Sequence, residues 1–131
     1  MNVLLDTHVW IWINSSPEKI SSNASKILFN KKNDNIFISI ISCWEVSKLH
    51  ENRKIGFNKP LYEWINRALE YPDLCVLELT PKACAKPSEF SRPEISDPID
   101  QMIIATALEN DLPLITADEN LRKYSPIITI W

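Results

Sequence analysis

Short apolar runs, each a few residues long, alternate with stretches of helical spacing along all 131 residues. Strands separated by helices cannot join through tight hairpins, so they pair in parallel through right-handed crossovers. The pattern therefore predicts an α/β fold: a three-layer sandwich with a central parallel sheet of about five strands. The length leaves room for one domain, residues 1–131. An apolar content of 45%, with five tryptophans, is enough to fill its core.

The predicted strands are Asn2-Val-Leu-Leu5, Ile36–Ser39, Cys75–Leu79, Leu114–Ala117 and Ile127–Trp131. Between them, Thr7 is placed to cap a first helix that is apolar all round from Val9 to Ile13, and residues 18–30 keep helical period to a polar turn at Lys31–Asn35. Ile41–Asn52 reads as a helix with Trp44, Val46 and Leu49 inward. After a turn at Gly56, Pro60 stands at the first position of a helix whose Leu61, Trp64, Ile65, Ala68 and Leu69 share one face. Thr80-Pro81 opens a helix that Pro87 cuts short. The clearest helix has Asp97 as N-cap, Pro98 as first residue and Ile99–Glu109 as body; Glu119–Tyr124 is the last.

Several function classes are excluded. Gly56 is the single glycine, and nucleotide folds that cradle phosphate on glycine-rich loops need several. No apolar run approaches the ~20 residues of a membrane-spanning helix. The first residues lack the positive start of a secretory signal, which points to a cytoplasmic protein. Cys43, Cys75 and Cys84 are odd in number, lie in or beside apolar segments and form no CxxC, so they read as reduced core thiols. Two histidines, His8 and His50, cannot build a zinc site of the finger kind. A formal charge of −3 argues against a general nucleic-acid binder, although a neutral or locally basic surface can surround a few clustered acids. Lys48, Arg53, Lys54 and Lys59 are one such basic patch, or simply a solvated helix end.

In an open parallel sheet the ligand site lies beyond the carboxyl ends of the strands, where the strand order reverses. Asp6 and Asp118 both stand at that end. With Glu45 and Asp100 they form a set of acids at element boundaries, where an unpartnered charge is costly. Each has a structural explanation: Asp6 and Asp118 as caps, Ser42-x-x-Glu45 as a capping box, Asp100 as a first-turn acid behind Asp97. Gathered together, they would repel one another and need a cation. Oxygen ligands without thiols or imidazoles select Mg²⁺ or Mn²⁺. The chemistry such an ion supports is phosphoester hydrolysis by an activated water.

The segments Leu4-Leu-Asp-Thr-His-Val-Trp10, Ser42-Cys-Trp-Glu-Val46, Asp97-Pro-Ile-Asp-Gln-Met-Ile-Ile-Ala-Thr-Ala107 and Leu114-Ile-Thr-Ala-Asp118 resemble PIN-domain ribonucleases, most of all the VapC-type toxins of bacterial toxin–antitoxin pairs. The resemblance spans nearly the whole chain, with residues 83–95 the poorest match. It implies a PIN fold and a Mg²⁺-dependent endoribonuclease, with Asp6, Glu45, Asp100 and Asp118 as the catalytic and metal-holding acids. Thr116 matches the family's hydroxyl two residues before the last acid, Asp97 an additional acid, and Thr7 a supporting residue. It further implies RNA as substrate, a cognate antitoxin as partner, and a homodimer made plausible by the apolar first helices. Gln101 stands where an arginine is common, and Ser96 where a His-Arg pair often precedes Asp-Pro; both departures bear on RNA contacts.

Other readings are a PIN fold serving only as an interaction module, and a receiver-like Mg²⁺-binding domain. The receiver would want paired acids after the first strand and a lysine after the fifth, whereas Asp6 is followed by Thr7 and the sequence ends at Trp131 without one. A haloacid-dehalogenase-type phosphatase would want a second aspartate where His8 stands. Trp10, Trp12, Trp44 and Trp64 fall on apolar faces and are expected in the core; Trp131 is undecided.

Overall fold

The computed structural model of the chain describes residues 1–30, 34–90 and 94–131. The predicted turn at Lys31–Asn35 therefore lies partly outside the described residues. Five strands, β1 (Val3–Leu5), β2 (Ile36–Ser39), β3 (Leu74–Leu77), β4 (Leu114–Ile115) and β5 (Thr129–Ile130), form one sheet in the order β3-β2-β1-β4-β5. Every neighbouring pair is parallel, with Leu5 opposite Ile38 on one side and Ile115 on the other. The chain thus steps outward from β1 to β3, then returns to lay β4 against the free edge of β1. That reversal, between β1 and β4, opens the crevice in which this architecture carries its sites.

Seven α-helices among the described residues cover the sheet: α1 (Thr7–Ser15), α2 (Ser22–Leu28), α3 (Ile40–Glu51), α4 (Leu61–Leu69), α5 (Pro81–Ala85), α6 (Pro98–Glu109) and α7 (Glu119–Arg122). Two apolar layers result. One gathers Val9, Trp10, Ile38, Val46 and Trp64 under α1, α3 and α4. The other gathers Leu4, Ile103, Ile104, Leu114 and Leu121 under α6 and α7. The three-residue β1 is wholly buried because both layers close over it.

The expected fold is present, with local corrections. Asp6, not Thr7, caps α1; Thr7 is its first residue and is buried. Residues 18–30 are not one helix, because Ser21 caps a new start by accepting the Ala24 N–H at 3.1 Å. Pro60 is the N-cap of α4 rather than its first residue. The Ser42-x-x-Glu45 capping box does not form: α3 begins three residues earlier, with Ser39 as cap, leaving Ser42 and Glu45 inside the helix. Trp44, expected in the core, is 51% exposed, since its face of α3 points away from both layers. Cys75 is exposed on the edge strand β3, Cys84 is exposed on α5, and only Cys43 is half-buried. The apolar residues of α1 pack into the chain's own core, Trp12 only in part.

Candidate active site

Beyond the carboxyl ends of β1 and β4 lies a cleft of about 280 Å³, lined by Asp6, His8, Trp12, Glu45, Asp97, Asp100, Ala117 and Asp118. All four acids singled out in the sequence are there, with Asp97 beside them. Each arrives from a different element. Asp6 and Asp118 follow adjacent parallel strands and turn the chain into α1 and α7; Glu45 comes from α3, and Asp97 and Asp100 from the start of α6.

Asp6 is the anchor. It is 6% exposed, and its backbone is tied to β4 through the Ile115 carbonyl at 3.0 Å. Its Oδ1 accepts the Thr7 N–H at 2.8 Å and its Oδ2 accepts the Thr116 hydroxyl at 2.7 Å. Thr116 Oγ1 in turn accepts the Asp118 N–H at 3.0 Å. One hydroxyl at the end of β4 therefore fixes both strand-end acids. Asp118 Oδ1 accepts the Asn120 and Leu121 amides at 2.8 and 3.3 Å, a cap for α7. Asp97 Oδ1 takes the Ile99 N–H at 2.8 Å, as expected of the N-cap before Pro98.

The two helix-borne acids are held differently. Glu45 is half-buried, and its Oε1 is fully enclosed without a hydrogen-bond partner among the described residues. The Thr7 hydroxyl, which eases the Glu45 carboxylate, is shared with Ser42 Oγ at 2.8 Å. Asp100 likewise accepts no hydrogen bond among the described residues, although it lies in the first turn of α6. Burial, then the charges of Asp6, Asp97, Glu45 and Asp118, pushes its pKa up to about 8. Burial also raises Asp6, against the pull of Thr116 and Thr7, and raises Glu45. His8 opposes the rise at both.

A buried, unpaired carboxylate oxygen is costly, and a cluster that drives one member's pKa toward neutrality lacks positive charge. A hard divalent cation supplies both. Among the described residues no three of the His, Cys, Asp and Glu side chains stand close enough to hold an ion by themselves. Magnesium does not need such a cage, since it binds through one or two carboxylates and keeps several waters, for which the cleft has room. The residues therefore fit Mg²⁺ or Mn²⁺ with part of its water shell.

The sequence reading overlooked two residues of the cleft. His8 belongs to the first family-like segment but carries no role there, and Trp12 is expected in the core. They share one face of α1, four residues apart, with ring centroids 6.0 Å apart. No local signal separates such residues from buried ones in a helix apolar nearly all round. Gln101, at the position common for arginine, donates from Nε2 to the Ile95 carbonyl at 2.7 Å. It steadies the approach to Asp97 and puts no charge into the cleft.

The PIN domain family pattern matches residues 3–125. The chain is also 32% identical over 135 aligned positions to Ribonuclease VapC22 of Mycobacterium tuberculosis, covering 98% of each protein. This chain belongs to the PIN domain family. Two solved structures share the fold. One is VapBC2 from Rickettsia felis bound to a DNA fragment from its promoter, with a TM-score of 0.73 and 18% identity over 99% of this chain and 98% of that one. The other is a toxin–antitoxin complex from Klebsiella pneumoniae, with a TM-score of 0.65 and 18% identity over 97% and 96% respectively. No helix among the described residues is long and apolar enough to cross a membrane.

Proposed function

We propose that the chain is a metal-dependent endoribonuclease acting as the toxin of a toxin–antitoxin pair. The observation that carries the reading is the convergence of Asp6, Glu45, Asp100 and Asp118 on one cleft, with Glu45 Oε1 unpartnered and Asp100 driven up to about 8. Its relative among the ribonucleases and its structural neighbours among toxin–antitoxin complexes support the substrate class and the partner.

One or two of Asp6, Glu45, Asp100 and Asp118 would hold Mg²⁺, or Mn²⁺, directly, and the others would meet it through its waters. When bound, the ion lowers the pKa of a water and offsets the charge that develops on phosphate oxygens. Thr116 is a positioning residue: its hydroxyl fixes the Asp6 carboxylate and the Asp118 backbone from opposite sides. Thr7 supports from below, joining α1 to α3 through Ser42. Asp97 caps α6 and adds negative charge at the rim.

The purified chain should cleave single-stranded RNA with Mg²⁺ or Mn²⁺ and lose that activity to EDTA. Cleavage that survives both EDTA and Asp6→Asn would overturn the mechanism. A chain that binds RNA but cleaves none with either ion would make it an interaction module. Co-expression with small genes encoded beside it should restore growth if one encodes the antitoxin. Sedimentation of the free chain tests whether a second copy is also a partner.

A further inference from the structure

The acidic cleft creates a difficulty for the proposed substrate. RNA carries a negative charge at each nucleotide, and the carboxylates repel every phosphate except one bound through a cation. Grip has to come from outside the cleft, and Gln101 supplies no charge for it. One wall of the cleft leads to such a surface.

Trp12 lines the acidic cleft and is half-buried, its inner edge packed on the core under α1. His8 stands on one side of it at 6.0 Å between centroids and Trp131 on the other at 5.9 Å, so three rings run in a row. The Lys19 ammonium lies over the Trp12 ring, 6.0 Å from its centroid. Trp131 then forms part of a second, open cleft of about 540 Å³, whose other walls are Glu119, Arg122, Lys123 and Thr129. Helix α7 joins the two clefts. Its N-cap, Asp118, faces the acids, and the residues around its C-terminus, Arg122 and Lys123, are exposed in the second cleft, where Glu119 offsets one of their charges.

We propose that His8, Trp12 and Trp131, with Lys19, Arg122 and Lys123, form a track for single-stranded RNA that leads from the acidic cleft to the basic one. The inference rests on RNA being the substrate and assigns the surface that holds it. Its logic is that of other single-strand binders: aromatic faces stack on unpaired bases without regard to sequence, while cations follow the backbone. The half-buried tryptophans are suited to this, because packing on the core fixes their rings before a base arrives. Trp131 is further held at its carbonyl by Asn23, at 3.4 Å. Lys19, Arg122 and Lys123 form no ion pair among the described residues, so their charge is available to phosphates.

The test is binding of a fluorescein-labelled, mixed-sequence single-stranded RNA long enough to span both clefts, followed by anisotropy in EDTA so that nothing is cleaved. Loss of one stacking platform is worth about 1–3 kcal/mol, so Trp131→Ala should raise Kd roughly 5- to 150-fold, and Trp131→Phe should restore most of the affinity. Arg122→Gln with Lys123→Gln alters exposed residues and leaves the core intact. It should lower the slope of log K against log salt by about 1.4, the share of two phosphate contacts on a single strand. The proposal is overturned if the wild-type chain does not bind, or if the double variant keeps the wild-type slope. Variants that bind RNA normally but no longer capture a co-expressed antitoxin would also overturn it, making the row a protein-binding surface. Because binding is read without cleavage, failure of the nuclease reading leaves a distinct signature: RNA held on the track and never cut.

Discussion

The strand-end acids, Asp6 and Asp118, and the helix-borne acids, Glu45 and Asp100, line the same cleft but are treated in opposite ways by the fold. The first pair are built in. Each caps the helix that follows its strand, and Thr116 joins them. Of the second pair, Asp100 accepts no hydrogen bond among the described residues, and Glu45, eased only by the Thr7 hydroxyl, has one oxygen enclosed with nothing to bond. A carboxylate with a cap to hold stabilises the fold whatever else it does. A half-buried carboxylate with no partner destabilises the fold until something positive arrives. The helix-borne pair therefore give the clearer sign of a ligand, although the strand-end pair are the easier to find.

The largest expected effect follows from that contrast. Asp100→Asn and Glu45→Gln should each remove several kcal/mol of charge stabilisation, about a thousandfold in cleavage rate. In metal-free buffer the same variants should be as stable as the wild type or more so, because repulsion falls; for Asp100→Asn a gain of about 1 kcal/mol would appear as roughly 4 °C in Tm. Asp6→Asn should lose cleavage without that gain, since its carboxylate accepts two hydrogen bonds. Melting curves in EDTA beside cleavage assays separate the pairs. A helix-borne variant that melts well below the wild type would erase the distinction.

The legible part of the site was the part written locally. An apolar run, an aspartate and a helix start stand together at Asp6 and at Asp118, and the alternation of elements fixes a parallel sheet whose order must reverse somewhere. The start of α6 was equally readable, because Asp97-Pro98 is both cap and first residue. The role of Glu45 was harder to see. Ser42-x-x-Glu45 has the spacing of a capping box, but Ser39 caps first, and only tertiary packing turns Ser42 toward Thr7. Trp44 is exposed and Trp12 only half in the core for a related reason: helix periodicity fixes relative faces, and the face turned outward depends on neighbours distant in sequence. The edge position of β3, which exposes Cys75, follows from strand order that spacing does not encode.

A smaller effect should come from the link between the strand-end acids. Thr116→Val keeps the shape of the side chain and removes both of its hydrogen bonds, the one donated to Asp6 Oδ2 and the one accepted from the Asp118 amide. Asp6 is 6% exposed, so losing a bond to it should cost about 1–3 kcal/mol of stability. Cleavage should fall by roughly tenfold, the equivalent of about 1.4 kcal/mol, as Asp6 is freed to move. Thr116→Ser should restore most of both. Denaturant melts and kcat for the two variants check it, and a stable, fully active valine variant would dissolve the link.

The pH dependence of the metal-free chain is a further measure of the helix-borne pair. Folding raises Asp100 to about 8, and raises Glu45 and Asp6, so the folded chain keeps protons that the unfolded chain has already released. A raised carboxyl pKa gives stability at acid pH that is lost as pH climbs through the folded value. In EDTA, Tm should therefore decline from about pH 5 to about pH 8 by a few degrees, and Asp100→Asn should flatten the decline. Mg²⁺ should lift Tm most at the alkaline end. A profile that rises over this range in EDTA would contradict the crowding of carboxylates.

The smallest effect belongs to Asp97, and it tests whether two acids three residues apart on one helix can be told apart. Asp97 Oδ1 is committed to the Ile99 amide, and Pro98 leaves no N–H of its own to compete for it. Asparagine caps about as well as aspartate, so Asp97→Asn should shift stability by only a few tenths of a kcal/mol, whereas Asp97→Ala should cost about 1 kcal/mol. Removing the charge also takes away one of the groups that raise Asp100. The steepest part of the metal-free Tm profile should then move slightly toward acid. Cleavage by Asp97→Asn should fall only a few-fold, a change in ΔG‡ of about 1 kcal/mol or less, because the cap keeps α6 and Asp100 in place. Should Asp97→Asn prove inactive while Asp100→Asn still cleaves, the acid at the cap holds the metal and the acid one turn in does not. The division between built-in and unpartnered carboxylates would then run through α6 the other way.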